Sequence, residues 1–216
     1  MQVIDLTLTI DNECMTCNTP WHTKVEIARL GYLDQVGRNT SQFRLGSHSA
    51  THMDAPLHFF EGAPGIDEVD LQKCIGPVTC VNLTHLKAGD VVRLQDVEHV
   101  NVTERMLFAF GWYRHWKTQN YYNKFPYFSE EAIQWLVEKG MKFMAMDTPS
   151  PDDGSAIRKL DDSPMHKILL QKGIVIVEYL NQTDLIDYEK DYEIIALPLK
   201  IKGADGAPAR VVLKER

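Results

Sequence analysis

Apolar and polar residues alternate over 3–10 (VIDLTLTI), the period-two pattern of a strand with one buried face. The run 77–83 (PVTCVNL) is rich in β-branched residues and predicts a second strand. Residues 105–112 (RMLFAFGW) are almost continuously apolar and predict a buried strand. Ser129 then stands where an N-cap belongs, ahead of the amphipathic run EEAIQWLVEK, and Gly140 supplies the stop after it. A short apolar strand is predicted over 142–146. Ser163-Pro164 opens a helix, with Ser as N-cap and Pro at the first helical position, running through MHKILLQK to Gly173. Two more strands follow, at 174–180 (IVIVEYL) and 192–199 (YEIIALPL). Strands alternating with helices predict an α/β domain. With no internal repeat and no low-complexity linker, residues 1–216 read as one domain. The stretch 111–128 is rich in Trp, Tyr and Phe without a clean period, and reads as a lid, a partner surface or an aromatic loop packed on the core.

Composition narrows the function classes. Hydrophobic residues make up 44% of the chain, enough for a sizeable core. A net charge of -7 repels phosphate backbones and argues against a nucleic-acid partner. No apolar run approaches the roughly 18 residues of a membrane span, and the opening MQVIDLTLTIDNE lacks the basic leader of a signal peptide. The expectation is a cytoplasmic protein acting on a small molecule.

Four cysteines are too sparse for a disulfide scaffold. Cys14 and Cys17 form a CxxC pair, which invites a zinc or redox reading. Yet Cys74 and Cys80 do not make the matching second pair, and no helical period begins after Pro20 as a thioredoxin-like motif requires. The pair reads as thiols in a loop.

The candidate chemistry lies in His48-Ser-Ala-Thr-His52-Met-Asp54-Ala-Pro-Leu-His58. Three imidazoles and a carboxylate, all good ligands for a divalent metal, fall within eleven residues. A helix would put Asp54 off the face shared by His48 and His52, and Pro56 forces Ala55 out of helical geometry. A straight strand would put the ends roughly 30 Å apart, beyond the reach of one ion. The expected shape is therefore a strand ending near His48, a turn at the small residues Ser49-Ala50, and a short extended piece carrying His52 and Asp54. Downstream, Glu178 sits in an apolar run, where an unpaired carboxylate is costly, so it is paired, protonated or metal-bound unless it reaches solvent at the strand end. His166 lies in the first turn of the helix just before it. Helix and strand joined at Gly173 pack side by side, so both residues can face one pocket; the blander reading of His166 is a surface histidine.

The pattern H-x3-H-x-D-x3-H followed far downstream by H-x11-E resembles the cyclase family of metal-dependent hydrolases, which includes bacterial kynurenine formamidases and isatin hydrolases. The resemblance takes in the opening strand, THMDAPLHF, MDTPSPD at 146–152 and HKILLQKGIVIVEYL, most of the chain. It implies a swivelling β/α/β fold with a mixed sheet and flanking helices. It implies that His48, His52 and Asp54 hold a first metal, that His166 and Glu178 hold a second with Asp54 bridging, and that His58 transfers protons. It further implies zinc, with manganese as the alternative, two ions per subunit, an aromatic amide substrate, and a dimer or tetramer. Two departures stand out. The family's signature has Gly where Ala50 stands, so the turn is expected to differ, because Ala reaches φ > 0 only at a cost. The segment Asn18-Thr-Pro-Trp21-His22 lacks the Pro-Gly-Asp stretch of kynurenine formamidases.

The chemistry expected from this set is hydrolysis of an amide-type C–N bond by a metal-activated water, with His58 returning a proton to the leaving nitrogen. The rivals are ring opening of a lactam or lactone, or dehydration, at the same site; a structural metal-binding protein; and a redox or zinc module on Cys14 and Cys17. Structural zinc sites are closed and often thiolate-rich, whereas this cluster is all imidazole and carboxylate, which favours an open, catalytic site.

Overall fold

The computed structural model describes residues 2–17, 19–156 and 163–216. In chain order the first half holds β1 (Val3–Asp5), β2 (Glu26–Gly31), a single helical turn α1 (Leu33–Val36), β3 (Thr40–Arg44), β4 (His52–Asp54), β5 (Ile75–Asn82), β6 (Val91–Val92) and α2 (Leu94–Val97). The second half holds β7 (Arg105–Ala109), β8 (Tyr127–Phe128), α3 (Glu130–Glu138), β9 (Phe143–Met146), α4 (Pro164–Gln171), β10 (Val175–Glu178), β11 (Tyr192–Pro198) and β12 (Gly206–Glu215).

Eight strands form one mixed sheet in the order β1-β12-β11-β5-β7-β9-β10-β4. The inner strands β5, β7, β9 and β10 run parallel, and the others pair antiparallel. β12 closes the arrangement. Its start, from Gly206 to Pro208, pairs with β4, while the stretch from Ala209 to Glu215 pairs with β11, so the sheet curls into a ring. Inside the ring lie apolar side chains, among them Met53, Leu107, Ala145, Val175, Val177 and Ala207. A second core lies on the outer face, where α3 and α4 pack over Ile174 and Ile176.

Local chemistry explains most of these elements. Ser129 Oγ accepts from the Ala132 N–H at 3.3 Å, and Gly140 at φ +99 follows the end of α3. β7 stops before Gly111, which takes φ +71 and starts a short 3-10 turn. The strand expected over 3–10 is shorter than its alternation suggests. Ile4, Leu6 and Leu8 are all buried, but after a last backbone bond from Leu6 N–H to the Val211 carbonyl the chain turns to side-chain partners: Leu8 N–H donates to Thr51 Oγ1, and Val211 N–H to Thr7 Oγ1. The aromatic stretch 111–128 contributes half of its aromatic side chains to the core. Trp112, Tyr121, Phe125 and Phe128 are buried, and Trp116 packs edge-on against Tyr121. None of the four cysteines forms a disulfide. Among the described residues no helix is long and apolar enough to cross a membrane.

Candidate metal centre

β4 builds the floor of the site by alternation. Met53 points into the ring, so His52 and Asp54 share the opposite face, toward α4. On the neighbouring strand the same alternation sends Val175 and Val177 inward and Glu178 outward. The register sets Glu178 opposite His52. From above, α4 presents Met165, His166, Leu169 and Leu170 as its buried stripe, so His166 is delivered by the same i, i+3, i+4 spacing that packs the helix.

The turn before β4 departs from expectation in two ways. No strand ends at His48; β3 ends at Arg44 in a separate hairpin, and 45–51 is irregular. The turn keeps a left-handed residue even without glycine: Ala50 sits at φ +53, fully buried. Such a conformation costs about 1–2 kcal/mol for a residue with a Cβ. What it achieves here is orientation, since the Ala50 carbonyl accepts from His52 Nδ1 at 2.8 Å. That bond leaves Nε2 as the ring's inward-facing atom.

Three imidazoles converge on the two carboxylates. His52 Nε2 lies 3.4 Å from both Asp54 Oδ1 and Glu178 Oε2. His166 Nε2 lies 3.3 Å from Asp54 Oδ2 and 3.2 Å from Glu178 Oε1. His48 Nδ1 lies 2.8 Å from Asp54 Oδ1. Among the described residues, two triads have donor atoms all within 4.8 Å of one another: His48, Asp54 and His58, and His52, Asp54 and Glu178. Asp54 is common to both. This proximity cuts across the two ligand sets implied by the resemblance, in which His52 goes with His48 and Glu178 with His166.

Four buried atoms at this floor have no hydrogen-bond partner among the described residues: His52 Nε2, both Asp54 oxygens and Glu178 Oε1. Unsatisfied buried polar atoms are rare because each costs about 1–3 kcal/mol. The donor set, imidazole nitrogens facing carboxylate oxygens, is that of a divalent cation, and the residues fit one. The field agrees. Burial alone would lower the His52 imidazole, yet the Asp54 and Glu178 carboxylates push it up to about 10. His166 is likewise raised against its burial, by Asp152, Asp54 and Glu178. The pocket demands positive charge.

Two carboxylates behind the floor were not singled out from the sequence. Asp152 Oδ2 accepts from His166 Nδ1 at 2.6 Å, and its two oxygens also accept from the Met165 and His166 backbone N–H groups at 2.7 and 3.1 Å. It therefore fixes the His166 ring and caps α4 together, the role expected of the Ser163 side chain, which makes no cap bond to this helix. Asp205 Oδ2 accepts from His48 Nε2 at 2.7 Å and from His58 Nδ1 at 3.1 Å. These two histidines hold its carboxyl well below the usual carboxylate range. Asp205 is seated by the ring closure: the Ala55 N–H donates to its carbonyl at 2.9 Å, and Gly206 beside it pairs with Asp54. A Cβ on Gly206 would stand 2.8 Å from the Met53 carbonyl and 3.0 Å from His48 Cε1, so only glycine fits there.

His58 ends a 3-10 turn opened by Pro56, with its ring centroid 4.0 Å from that of His48. Above the floor opens a cavity of about 620 Å³ whose wall includes Trp21, His22, Phe59, Tyr122 and Tyr179. Tyr122 is the member of the 111–128 stretch that reaches it. Cys17 lines the rim, but neither it nor Cys14 belongs to a candidate metal group among the described residues. Of the segment that departs from the kynurenine formamidases, Asn18 lies outside the described residues, while Trp21 and His22 stand at the cavity. Burial pushes the His22 imidazole down to about 4, helped by the neighbouring His48.

Comparison with known proteins gives matches over most of the chain. The family model described as putative cyclase matches residues 4–153. A kynurenine formamidase from Bordetella petrii is 34% identical over 179 residues, 82% of this chain and 81% of that one. A solved structure titled as a potential metal-dependent hydrolase with cyclase activity is 28% identical, with a TM-score of 0.76, covering 100% of this chain and 98% of that chain. An isatin hydrolase bound to the product analogue thioisatinate has the same fold, with a TM-score of 0.88 at 22% identity, covering 100% of this chain and 93% of that chain.

Proposed function

This chain belongs to the cyclase family and is a metal-dependent amide hydrolase, and from that premise we propose that it cleaves the formyl amide of an arylformamide such as N-formylkynurenine. The observation that carries this reading is the set of unpartnered donor atoms around Asp54, laid at the bottom of an aromatic-walled cavity. His48, His52, Asp54, His166 and Glu178 are the proposed ligands. Four carboxylates, Asp54, Asp152, Glu178 and Asp205, face the imidazoles at or just behind the floor. Their summed charge matches two divalent ions, with zinc the first choice and manganese the alternative.

A divalent cation held there lowers the pKa of a water toward neutrality and polarises a carbonyl. The chain's own residues do the rest. The Ala50 carbonyl and Asp152 hold the His52 and His166 rings by their Nδ1 atoms, so both Nε2 lone pairs stay aimed at the floor. His58 takes the proton of the attacking water and delivers it to the leaving nitrogen. Asp205 holds its Nδ1, which leaves Nε2 as the base. The edges and faces of Trp21, Phe59, Tyr122 and Tyr179 offer stacking surface for an aryl group. The subunits assemble as a dimer or tetramer.

A substrate panel tests the reading. N-formylkynurenine, an aliphatic formamide and a cyclic aryl amide are compared at equal metal loading. The reading requires the arylformamide to have the highest kcat/KM. Preference for the cyclic amide would move the activity to ring opening, and turnover of none would overturn the substrate class.

A further inference from the structure

His22 stands on the cavity wall, and neither the proposed ligand set nor the proton transfer uses it. Its place is set locally. Thr19-Pro20-Trp21-His22 is a tight turn, closed by the His22 N–H donating to the Thr19 carbonyl at 3.2 Å. Pro20 occupies the second position of that turn, where its fixed φ of about −65° is the one required. Buried Val25 pins the chain three residues further on.

The same turn fixes the ring. Thr19 Oγ1 and His22 Nδ1 lie 2.6 Å apart. Among the described residues that hydroxyl has no other partner, so its one proton goes to Nδ1. An imidazole that accepts at Nδ1 is neutral and carries its hydrogen on Nε2. His22 lines the cavity and Thr19 does not, so the ring is anchored by its outer nitrogen and meets the cavity with its Nε2 edge. Among the described residues no group bonds that Nε2. The ring stands edge-on to His48 with centres 6.2 Å apart, and His48 lies 4.0 Å from the His58 ring. His22 is therefore on the His48–His58 side of the floor, where the leaving nitrogen receives its proton.

The carbonyl of the scissile amide belongs to the cation at the floor, so an N–H on the wall serves a second oxygen. In an aryl amide whose nitrogen faces His58, a substituent ortho to the amide leaves the ring on that same edge of the molecule. We propose that His22 is a specificity-determining residue whose Nε2–H holds a carbonyl oxygen ortho to the amide of the aryl substrate. This rests on the arylformamide reading above and narrows it to arylformamides with an ortho acyl group, of which N-formylkynurenine is one. The donor comes from the segment in which this chain lacks the Pro-Gly-Asp stretch of kynurenine formamidases.

The test compares 2-formamidoacetophenone with formanilide, which differ by that acyl group alone, on the full-length, zinc-loaded protein. Wild type, H22F, H22Q and T19V are assayed. Phe keeps a flat ring without nitrogen, and the Gln side-chain amide offers an N–H in the place of Nε2. H22F is expected to lower kcat/KM on the acetyl compound about 5- to 100-fold more than on formanilide, chiefly through KM and with zinc content unchanged. H22Q should recover most of that selectivity. T19V, whose ring is free to move its proton, should lose part of it. Equal losses on both substrates, unchanged selectivity, or a fall in bound zinc in H22F overturns the proposal. Calorimetric titration with 2-aminoacetophenone reads the same contact without turnover. If the wild type hydrolyses neither formamide, the arylformamide reading falls and His22 is judged by calorimetry alone. Weaker binding to H22F than to wild type then supports the carbonyl contact, and equal binding or none overturns it.

Discussion

Replacing Asp152 with Ala removes three acceptor contacts at once: the one to His166 Nδ1 at 2.6 Å and the two to the first N–H groups of α4, at 2.7 and 3.1 Å. The consequences separate into affinity and stability. Without its carboxylate, the His166 ring loses both orientation and basicity. Partners of this kind are worth 10–100-fold in metal affinity, or about 1.4–2.7 kcal/mol. The uncapped helix loses about 1 kcal/mol, and the buried imidazole N–H left without an acceptor costs a further 1–3 kcal/mol or so. D152A is therefore expected to weaken Zn²⁺ binding 10–100-fold in a chelator competition titration. It is expected to destabilise the metal-free protein by about 2–4 kcal/mol in urea unfolding. D152N keeps a carbonyl oxygen for the helix but cannot accept twice and hold charge. It should recover much of the stability and little of the affinity. If D152A binds metal as tightly as the wild type, or if D152N restores affinity in step with stability, His166 is not held for a cation by this carboxylate.

Three other outcomes follow from the geometry. H58A should retain the wild-type metal content and lose about 10²–10⁴ in kcat, as expected for removal of a proton-transfer group; unchanged turnover would release His58 from that role. D205A frees His58 and His48 together from the one oxygen they share. It should lower kcat more than it raises KM, with D205N intermediate, and a pure KM effect would contradict the account. Asp147 is raised to about 6 by burial, against the hydrogen bonds it accepts from the Thr183 hydroxyl and the Phe110 N–H. Its folded-state pKa lies above its unfolded one, so its contribution to stability is full below about pH 4 and is lost as pH rises to about 6, by up to about 3 kcal/mol. The stability difference between wild type and D147N should fall across that window in urea titrations, and parallel pH profiles would refute it.

Much of the candidate site was legible because its causes are local. The helix α4 and strand β10 announce themselves by period and by Gly173, and alternation alone puts His52 and Asp54 on one face. The α/β class followed from the same patterns, and the mixed sheet from the family resemblance. What escaped has long-range causes. Asp205 lies 157 residues from the histidine it holds, in a Gly-Ala-Asp-Gly stretch that reads as an ordinary turn. Asp152 stood in a quoted motif, but nothing local says that its carboxylate reaches α4; two prolines around it were the faint sign of a fixed loop. β12 was missed because GAPARVVLKE begins with small residues and a proline, and only ring closure explains a proline there. The strands EIARLG and TSQFR of the separate hairpin were missed because neither face meets a core within the chain, so there is no alternation to read. The turn at Ala50 was misjudged because its strain is compensated by tertiary contacts, the buried methyl and the bond to His52.

The central claim is that the donor atoms around Asp54 hold the ions that make this chain a hydrolase. The most direct test strips the protein of metal and follows N-formylkynurenine hydrolysis as Zn²⁺ or Mn²⁺ is added back. The account predicts activity that rises from baseline with added ion and saturates near two equivalents, in parallel with metal bound. Full activity in the stripped protein, or no metal bound at all, would contradict it.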